Sequence, residues 1–434
     1  GIEKGLELVA PLFQGVKLPL EDTLVRNTRW NWPHGWEAGL AILAGKDGGM
    51  WVHCRDTKYR YKALKVGSGK DPRTVGLDTE AYGPSDDKMS AGGLAWRINA
   101  YDGDWKTPAG IYRDWLWEAY DLGGRERPEW LAGLRLAVSW CPNEMGIIEE
   151  LAKKVDPSKV LLHIHLWRSD PYDENYPTYV ASEEGRAFIK RAQEMGFHAM
   201  PHANSIDMDP THPAYAYLRD FQYRNIETKK VQGWTWHAGE MKDVPESNAA
   251  RLAHQSSKTM VKIHPGLAIW RSILAENVQG AAESLGLDMV FLDVTLNTWN
   301  LDNCLVDDMT PTEGMQRLIA EIAALGNGLT VGGEGRNEMV MQHEALGQVH
   351  LFESWQENTQ GLERTGGCDL NEYLFGRLCR SFGYTNLSGK TPEQELRMRL
   401  HVEHGAIPTV TVRSGDEVAN PNRAVKEMLE RARG

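Results

Sequence analysis

From about residue 129 onward, short apolar runs alternate with segments whose apolar positions recur every three or four residues. Leu134–Trp140 is the first run, followed by a helical period over Glu144–Val155. Val160–Trp167 precedes a helix over Ser182–Met195, and Phe197–Asn204 is the third run. Met289–Leu296 leads into an amphipathic helix over Thr310–Leu325, and Leu329–Glu334 into a helix beginning near Asn337. Val349–Trp355 is read as the sixth strand. Arg380–Asn386 and Gly405–Val412 are read as the seventh and eighth, with helices over Pro392–Glu403 and Asn422–Arg433. Apolar runs bounded by helices are the mark of strands buried on both faces. The pattern predicts an α/β fold, a (β/α)8 TIM-like barrel over residues 126–434. An open doubly wound sheet is the alternative, but no G-x-G-x-x-G follows a strand and no P-loop occurs.

Residues 1–125 follow another rhythm. Short alternating stretches, such as Gly49–Asp56 and Gly93–Tyr101, are separated by Gly, Pro and Asp, and helical periodicity is nearly absent before Ala109–Trp117. This predicts a β-sandwich region, joined to the barrel through Gly123-Gly124-Arg125-Glu126-Arg127-Pro128. Residues 205–288 are too long for a βα connection of a few residues and read as an insertion at the C-terminal face of the barrel. It contains Gly233-Trp234-Thr235-Trp236-His237, a substrate wall or a buried aromatic pair.

Composition narrows the partners. The net charge is −12 with no cluster of Lys and Arg, which disfavours nucleic acid. No apolar run reaches the length of a membrane span, and the first residues lack the basic and apolar regions of a signal peptide. The five cysteines are odd in number and widely spaced, so reduced thiols and a cytoplasmic location are expected. Sixteen Trp against eight Phe suits the apolar faces of sugar rings as well as ordinary cores.

Two apolar strands end in carboxylates, Met289-Val290-Phe291-Leu292-Asp293 and Leu329-Thr330-Val331-Gly332-Gly333-Glu334. A charge at the end of a buried strand is costly unless it is solvated or used. One helix separates the two strands, so they are expected as neighbours with their ends about 5 Å apart. That spacing fits the carboxyl pair of a retaining glycosidase, with Asp293 as nucleophile and Glu334 as acid/base. Gly332-Gly333 would let a ligand approach the backbone. In the bland alternative, Asp293 caps a turn and Glu334 pairs with Arg336. Glu353 competes for the acid/base role, while Glu338 and Glu344 read as solvated helix positions.

His165, Trp167, Arg168, His202, Asn204, Trp236, Trp299, Glu353 and Trp355 are the candidate substrate-binding residues, with Asn300 and Asp302 beside them. Arg55, Asp56 and Tyr59 are expected at the interface with the barrel. Alternation places His163 and His165 on one side of a strand, with His202 on the next. Three histidines on adjacent strands also fit a metal-dependent barrel hydrolase. The third reading is a non-catalytic carbohydrate-binding protein. No cofactor is expected.

At these residues the chain resembles the glycoside hydrolases of families 101 and 129, which are α-N-acetylgalactosaminidases, and their bacterial relatives. The matching features are Asp102-Gly103-Asp104-Trp105 with Tyr112-Arg113-Asp114-Trp115, then Pro201-His202-Ala203-Asn204 with Asp207 and Asp209. Asp293 falls where these families have their nucleophile, and Glu334 where they have their acid/base residue. The resemblance implies retaining hydrolysis of an α-linked sugar.

Overall fold

The computed structural model describes residues 5–20, 28–68, 71–79, 94–125, 127–225, 228–253, 258–296, 305–326, 328–349, 367–383 and 394–433. At its centre eight parallel strands form a nearly closed barrel. In chain order they are Leu136–Cys141, Val160–Ile164, His198–Asn204, Met289–Asp293, Thr330–Glu334, Glu344–Val349, Arg380–Gly383 and Thr409–Val410. The eighth pairs with the first at Thr409–Ala137 and Val410–Val138, and a single bridge, Phe382–Ile407, ties the seventh to the chain just before the eighth.

Alternation along the strands fills the barrel. Leu161, Met200, Met289, Phe291, Leu346, Phe382 and Ile407 form the interior cluster. Two residues further along a strand, the same inward direction recurs. Phe291 is thus followed by Asp293, Leu161 by His163, and Met200 by His202. The outward residues pack against helices Met145–Ala152, Glu183–Glu194, Ala268–Leu285, Pro311–Ala323 and Arg423–Arg433. Their starts are written locally. Ser182 Oγ accepts from Gly185 N, and Thr310 and Glu313 form a reciprocal capping box with Pro311 in the first turn.

Three expectations need correction. The sixth strand is Glu344–Val349, ending where the sequence pattern places its start, and residues 350–355 lie outside the described residues. The segment after Glu334 contains only a short 3-10 turn, Val340–Gln342, instead of a barrel helix. Glu338 and Glu344 are consequently buried and not solvated. Finally, the insertion stops short of residue 288, because Ala268–Leu285 is the barrel helix that follows the third strand. What projects is a four-stranded antiparallel sheet in the order Asp207–Met208, Thr259–Lys262, Gly233–His237, Glu240–Asp243.

The N-terminal residues form two antiparallel sheets. One has five strands in the order Val16–Pro19, Glu7–Ala10, Leu40–Ala44, Gly48–Cys54, Trp96–Asp102. The other has three, Thr28–Asn31, Ala63–Ser68 and Asp71–Asp78. Their apolar residues, Leu8, Leu18, Trp30, Leu64 and Val66 among them, share one core with the barrel's outer layer. Polar ties reinforce this contact. Tyr112 donates to Glu338 Oε2 at 2.7 Å, and Arg336 Nε donates to Gln14 Oε1 at 2.8 Å. Tyr59 of the N-terminal region also meets Gln342, whereas Asp56 bonds Arg60 and Lys62 nearby in the chain. Among the described residues, no helix is long and apolar enough to cross a membrane.

Candidate active site

Asp293 and Glu334 end adjacent parallel strands, one step beyond the Leu292–Gly333 register pair. Each backbone is pinned at that point. Ser205 donates its N–H and hydroxyl to the Asp293 carbonyl at 3.1 and 2.7 Å, and Thr295 Oγ1 donates to the Glu334 carbonyl at 2.9 Å. Val294, directly after Asp293, has φ +67°, a conformation that a β-branched residue adopts only under constraint. Glu334 does not pair with Arg336, whose guanidinium reaches Gln14, Glu372 and the Cys379 carbonyl.

Burial, with the Glu334 carboxylate alongside, pushes the Asp293 carboxyl well above the usual carboxylate range. Asp207 and Asp173 add to this, and Lys262 opposes it.

The two glycines before Glu334 serve packing. A Cβ on Gly332 would come 2.7 Å from Met200 Sδ, and one on Gly333 would run into the Glu344 carboxyl. Protein side chains occupy the space that the sequence reading reserved for a ligand.

Beside the pair, on the second and third strands, stand the histidines. His163 Nε2 lies 3.1 Å from His202 Nδ1, and His202 Nε2 lies 3.6 Å from Asp293 Oδ2. Burial holds both imidazoles well below the usual histidine range, and that of His165 at about 4, so all three are neutral near pH 7. Among the described residues no group of three or more His, Cys, Asp or Glu is arranged to hold a metal ion. His163 and His202 are instead engaged with each other.

The remaining candidates sort by what they touch. Trp167 is buried and donates Nε1 to the His202 carbonyl at 2.8 Å. Arg168 gives its guanidinium to the carbonyls of Pro171, Glu174 and Thr178 and stacks over Tyr176, so it organises the loop after the second strand. Asn204 holds a tight turn, accepting from Ile206 N and Asp207 N and donating to Asp207 Oδ2 at 2.6 Å. Trp236 donates to Asp173 Oδ2 at 2.8 Å, joining the projecting sheet to that loop. Trp299, Asn300, Asp302, Glu353 and Trp355 lie outside the described residues.

Sequence reasoning missed four neighbours. Trp140, at the end of the first strand, has rings of His163, His165, His202 and Tyr172 within 6 Å of its own. Tyr172, Asp173 and Lys262 come from loops and from the projecting sheet, where no period marks them. Only Trp140 carried a local signal, as a large aromatic closing an apolar strand.

The chain was compared with known proteins. A family model described as a domain of unknown function (DUF6259) matches residues 94–307. No curated protein matches. Among solved structures, the ligand-free α-N-acetylgalactosaminidase of Bifidobacterium bifidum aligns with a TM-score of 0.64 at 14% identity, over 99% of this chain and 74% of that one. A family 36 α-galactosidase of Geobacillus stearothermophilus, solved with raffinose, gives 0.54 at 10% identity, over 98% and 60%. The galactosidase domain of an α-galactosidase–sucrose kinase gives 0.54 at 11%, over 99% and 59%. At these identities the likeness is one of fold alone: the chain shares the barrel architecture of these solved structures.

Proposed function

We propose that the protein is a retaining glycoside hydrolase acting on an α-linked sugar, with Asp293 as nucleophile and Glu334 as acid/base. The observation that carries this reading is the register. Residues at the same level of adjacent strands are about 4.8 Å apart, close to the roughly 5–5.5 Å of retaining carboxyl pairs and below the 6.5–9.5 Å of inverting ones. In the first step Asp293 attacks the anomeric carbon, and the aglycone oxygen departs with the proton of Glu334. In the second, Glu334 takes a proton from water, whose oxygen displaces Asp293. The cycle requires Asp293 as a carboxylate and Glu334 as a carboxylic acid at its start. The solved structures of similar fold are named for α-linked galactose-type sugars, so the sugar proposed is of that configuration.

The test is turnover of aryl α-N-acetylgalactosaminides and α-galactosides, with the first-formed anomer read by NMR. Release of the α anomer first is expected. First release of the β anomer would overturn the retaining mechanism. Measurable sugar binding without turnover would favour the non-catalytic binding reading.

A further inference from the structure

The loop after the second barrel strand is tied down from two sides. Glu174 N donates to the Pro171 carbonyl at 3.2 Å, which closes a turn with Tyr172 and Asp173 at its tip. Asp173 has φ +59°, a left-handed conformation that aspartate tolerates at such a position. On the barrel side, Arg168 takes the carbonyls of Pro171, Glu174 and Thr178. On the other side the projecting sheet reaches the tip twice. Trp236 Nε1 donates to Asp173 Oδ2 at 2.8 Å, and Lys258 Nζ, just before the strand Thr259–Lys262, donates to the Tyr172 carbonyl at 2.8 Å. Loops are ordinarily the mobile parts of a fold, but this one has its tip fixed in advance. Its tyrosines differ in where they go. Tyr176 and Tyr179 are buried in the core, whereas Tyr172 is half-buried and turns to the barrel mouth. The Tyr172 ring centre lies 5.9 Å from that of Trp140, 6.1 Å from that of His165 and 5.3 Å from that of His202, whose Nε2 is 3.6 Å from Asp293 Oδ2. Trp140 is aimed at the same place by an irregularity in the first strand. Between the Leu162–Val138 and Ile164–Cys141 pairs, Ser139 and Trp140 oppose His163 alone. This is a β-bulge, and Trp140 is left-handed there, with φ +56°. Its half-buried ring stands at 77° to that of Tyr172, so the two make an aromatic corner one imidazole away from Asp293.

We infer that Tyr172 contacts the substrate, packing with Trp140 against the apolar C–H face of a neutral pyranose, and that Lys258 of the projecting sheet is the positioning residue that holds it there. The inference rests on the glycosidase reading above and names a wall of that site. A flat aromatic ring suits the C–H face of a sugar, and its place against His202 sets it beside the pyranose that Asp293 attacks. The class of sugar follows from charge. The imidazoles that meet the corner are neutral near pH 7. Around Asp293 the carboxyls of Glu334, Asp207 and Asp173 outnumber the one ammonium of Lys262, and Arg168 is taken up by the carbonyls of its own loop. Such surroundings disfavour a uronic acid or a sugar phosphate. The projecting sheet is thereby a specificity element: it touches the loop backbone, and the loop presents the ring.

The experiment reads sugar binding first, with no need for turnover. Saturation-transfer NMR gives dissociation constants for galactose, N-acetylgalactosamine and galacturonic acid, and unfolding midpoints show that each variant is folded. The neutral sugars are expected to bind, and the uronic acid to bind more weakly. In Tyr172→Leu the neutral sugars bind about 3–10-fold more weakly, the loss of one aromatic contact. Tyr172→Phe keeps the ring and the affinity. Lys258→Met brings the same loss as Tyr172→Leu, and Lys258→Arg recovers it. In turnover of aryl α-galactosides the loss falls on KM more than on kcat, as for a contact that substrate and transition state share. Unchanged affinity in folded Tyr172→Leu overturns the inference, as does a wild-type protein that binds neither neutral sugar. Unchanged affinity in Lys258→Met overturns the role of the projecting sheet, and equal affinity for galacturonic acid overturns the neutral class. If the wild-type protein binds a neutral sugar but cleaves no glycoside, the retaining reading falls, and the binding arm still decides the role of Tyr172.

Discussion

Lys262 Nζ lies 3.1 Å from Asp207 Oδ1 and 4.4 Å from the centre of the Trp234 ring, and both charged residues are almost fully buried. This pair ties two neighbouring strands of the projecting sheet, Asp207–Met208 and Thr259–Lys262, to each other. Burial pushes the Asp207 carboxyl up to about 6 even with Lys262 beside it. Lys262→Met leaves a buried carboxylate without its cation, a change that costs about 3–5 kcal/mol in comparable pairs. The expected result is a matching fall in stability by urea unfolding, most of it recovered in the Asp207→Asn, Lys262→Met double variant. A double variant no more stable than the single one would show that Lys262 acts through some other contact.

Asp293→Ala is expected to abolish turnover of every glycoside, because no glycosyl-enzyme can form. Glu334→Ala is expected to lose about 10²–10⁴-fold on substrates with poor leaving groups, the usual size of an acid–base contribution. On a dinitrophenyl glycoside it should form the intermediate and stall, and added azide should then speed turnover, giving a glycosyl azide of unchanged anomeric configuration. No rescue by azide, with near-normal activity on natural glycosides, would move the acid/base role away from Glu334.

Acid stability should carry the mark of buried histidines. Burial holds His404 at about 3, against about 6.5 in an unfolded chain. Between these values the unfolded state binds a proton that the folded state refuses. The stability is therefore complete above about pH 6.5 and is lost as pH falls toward 3, by up to about 1.4 kcal/mol per pH unit for this one group. Urea midpoints of His404→Gln at pH 7.5 and 5 should show a shallower loss than the parent, and parallel slopes would refute the assignment.

Gly333→Ala should destabilise by about 1–3 kcal/mol, the usual cost of overpacking, since the new methyl meets the buried Glu344 carboxyl. Pairing it with Glu344→Ala should give a double variant more stable than the sum of the two single losses, because the sites share one volume. Strict additivity would mean that the glycine is required for backbone reasons alone.

The sequence announced what alternation and abrupt changes of polarity can encode. Asp293 and Glu334 each break an apolar run, and His163 and His202 each sit two residues past an inward apolar side chain. The sixth strand was displaced because Glu344-Ala345-Leu346-Gly347-Gln348-Val349 mixes a buried acid, a glycine and a buried amide, and neither a strand nor a helix period emerges from it. The helix Ala268–Leu285 buries Trp270, Arg271, Leu274, Val278, Ala281 and Leu285 at good helical spacing. It was hidden by the length of the stretch that contains it. The bulge at Trp140 was beyond reach, because it is a matter of two residues facing one across a strand pair. Lys262 and Asp173 approach Asp293 from distant segments, and only the folded chain brings them there.

The two-residue eighth strand sets where this ring of strands breathes. Among the described residues, with two register pairs on one side and one bridge on the other, the seam around Thr409 and Val410 has the fewest strand pairings to break. Amide exchange should therefore be quickest there and slowest across the third, fourth and fifth strands, which lie half a turn away. Opening at that seam would leave Asp293 and Glu334, on the far side of the ring, in register with each other.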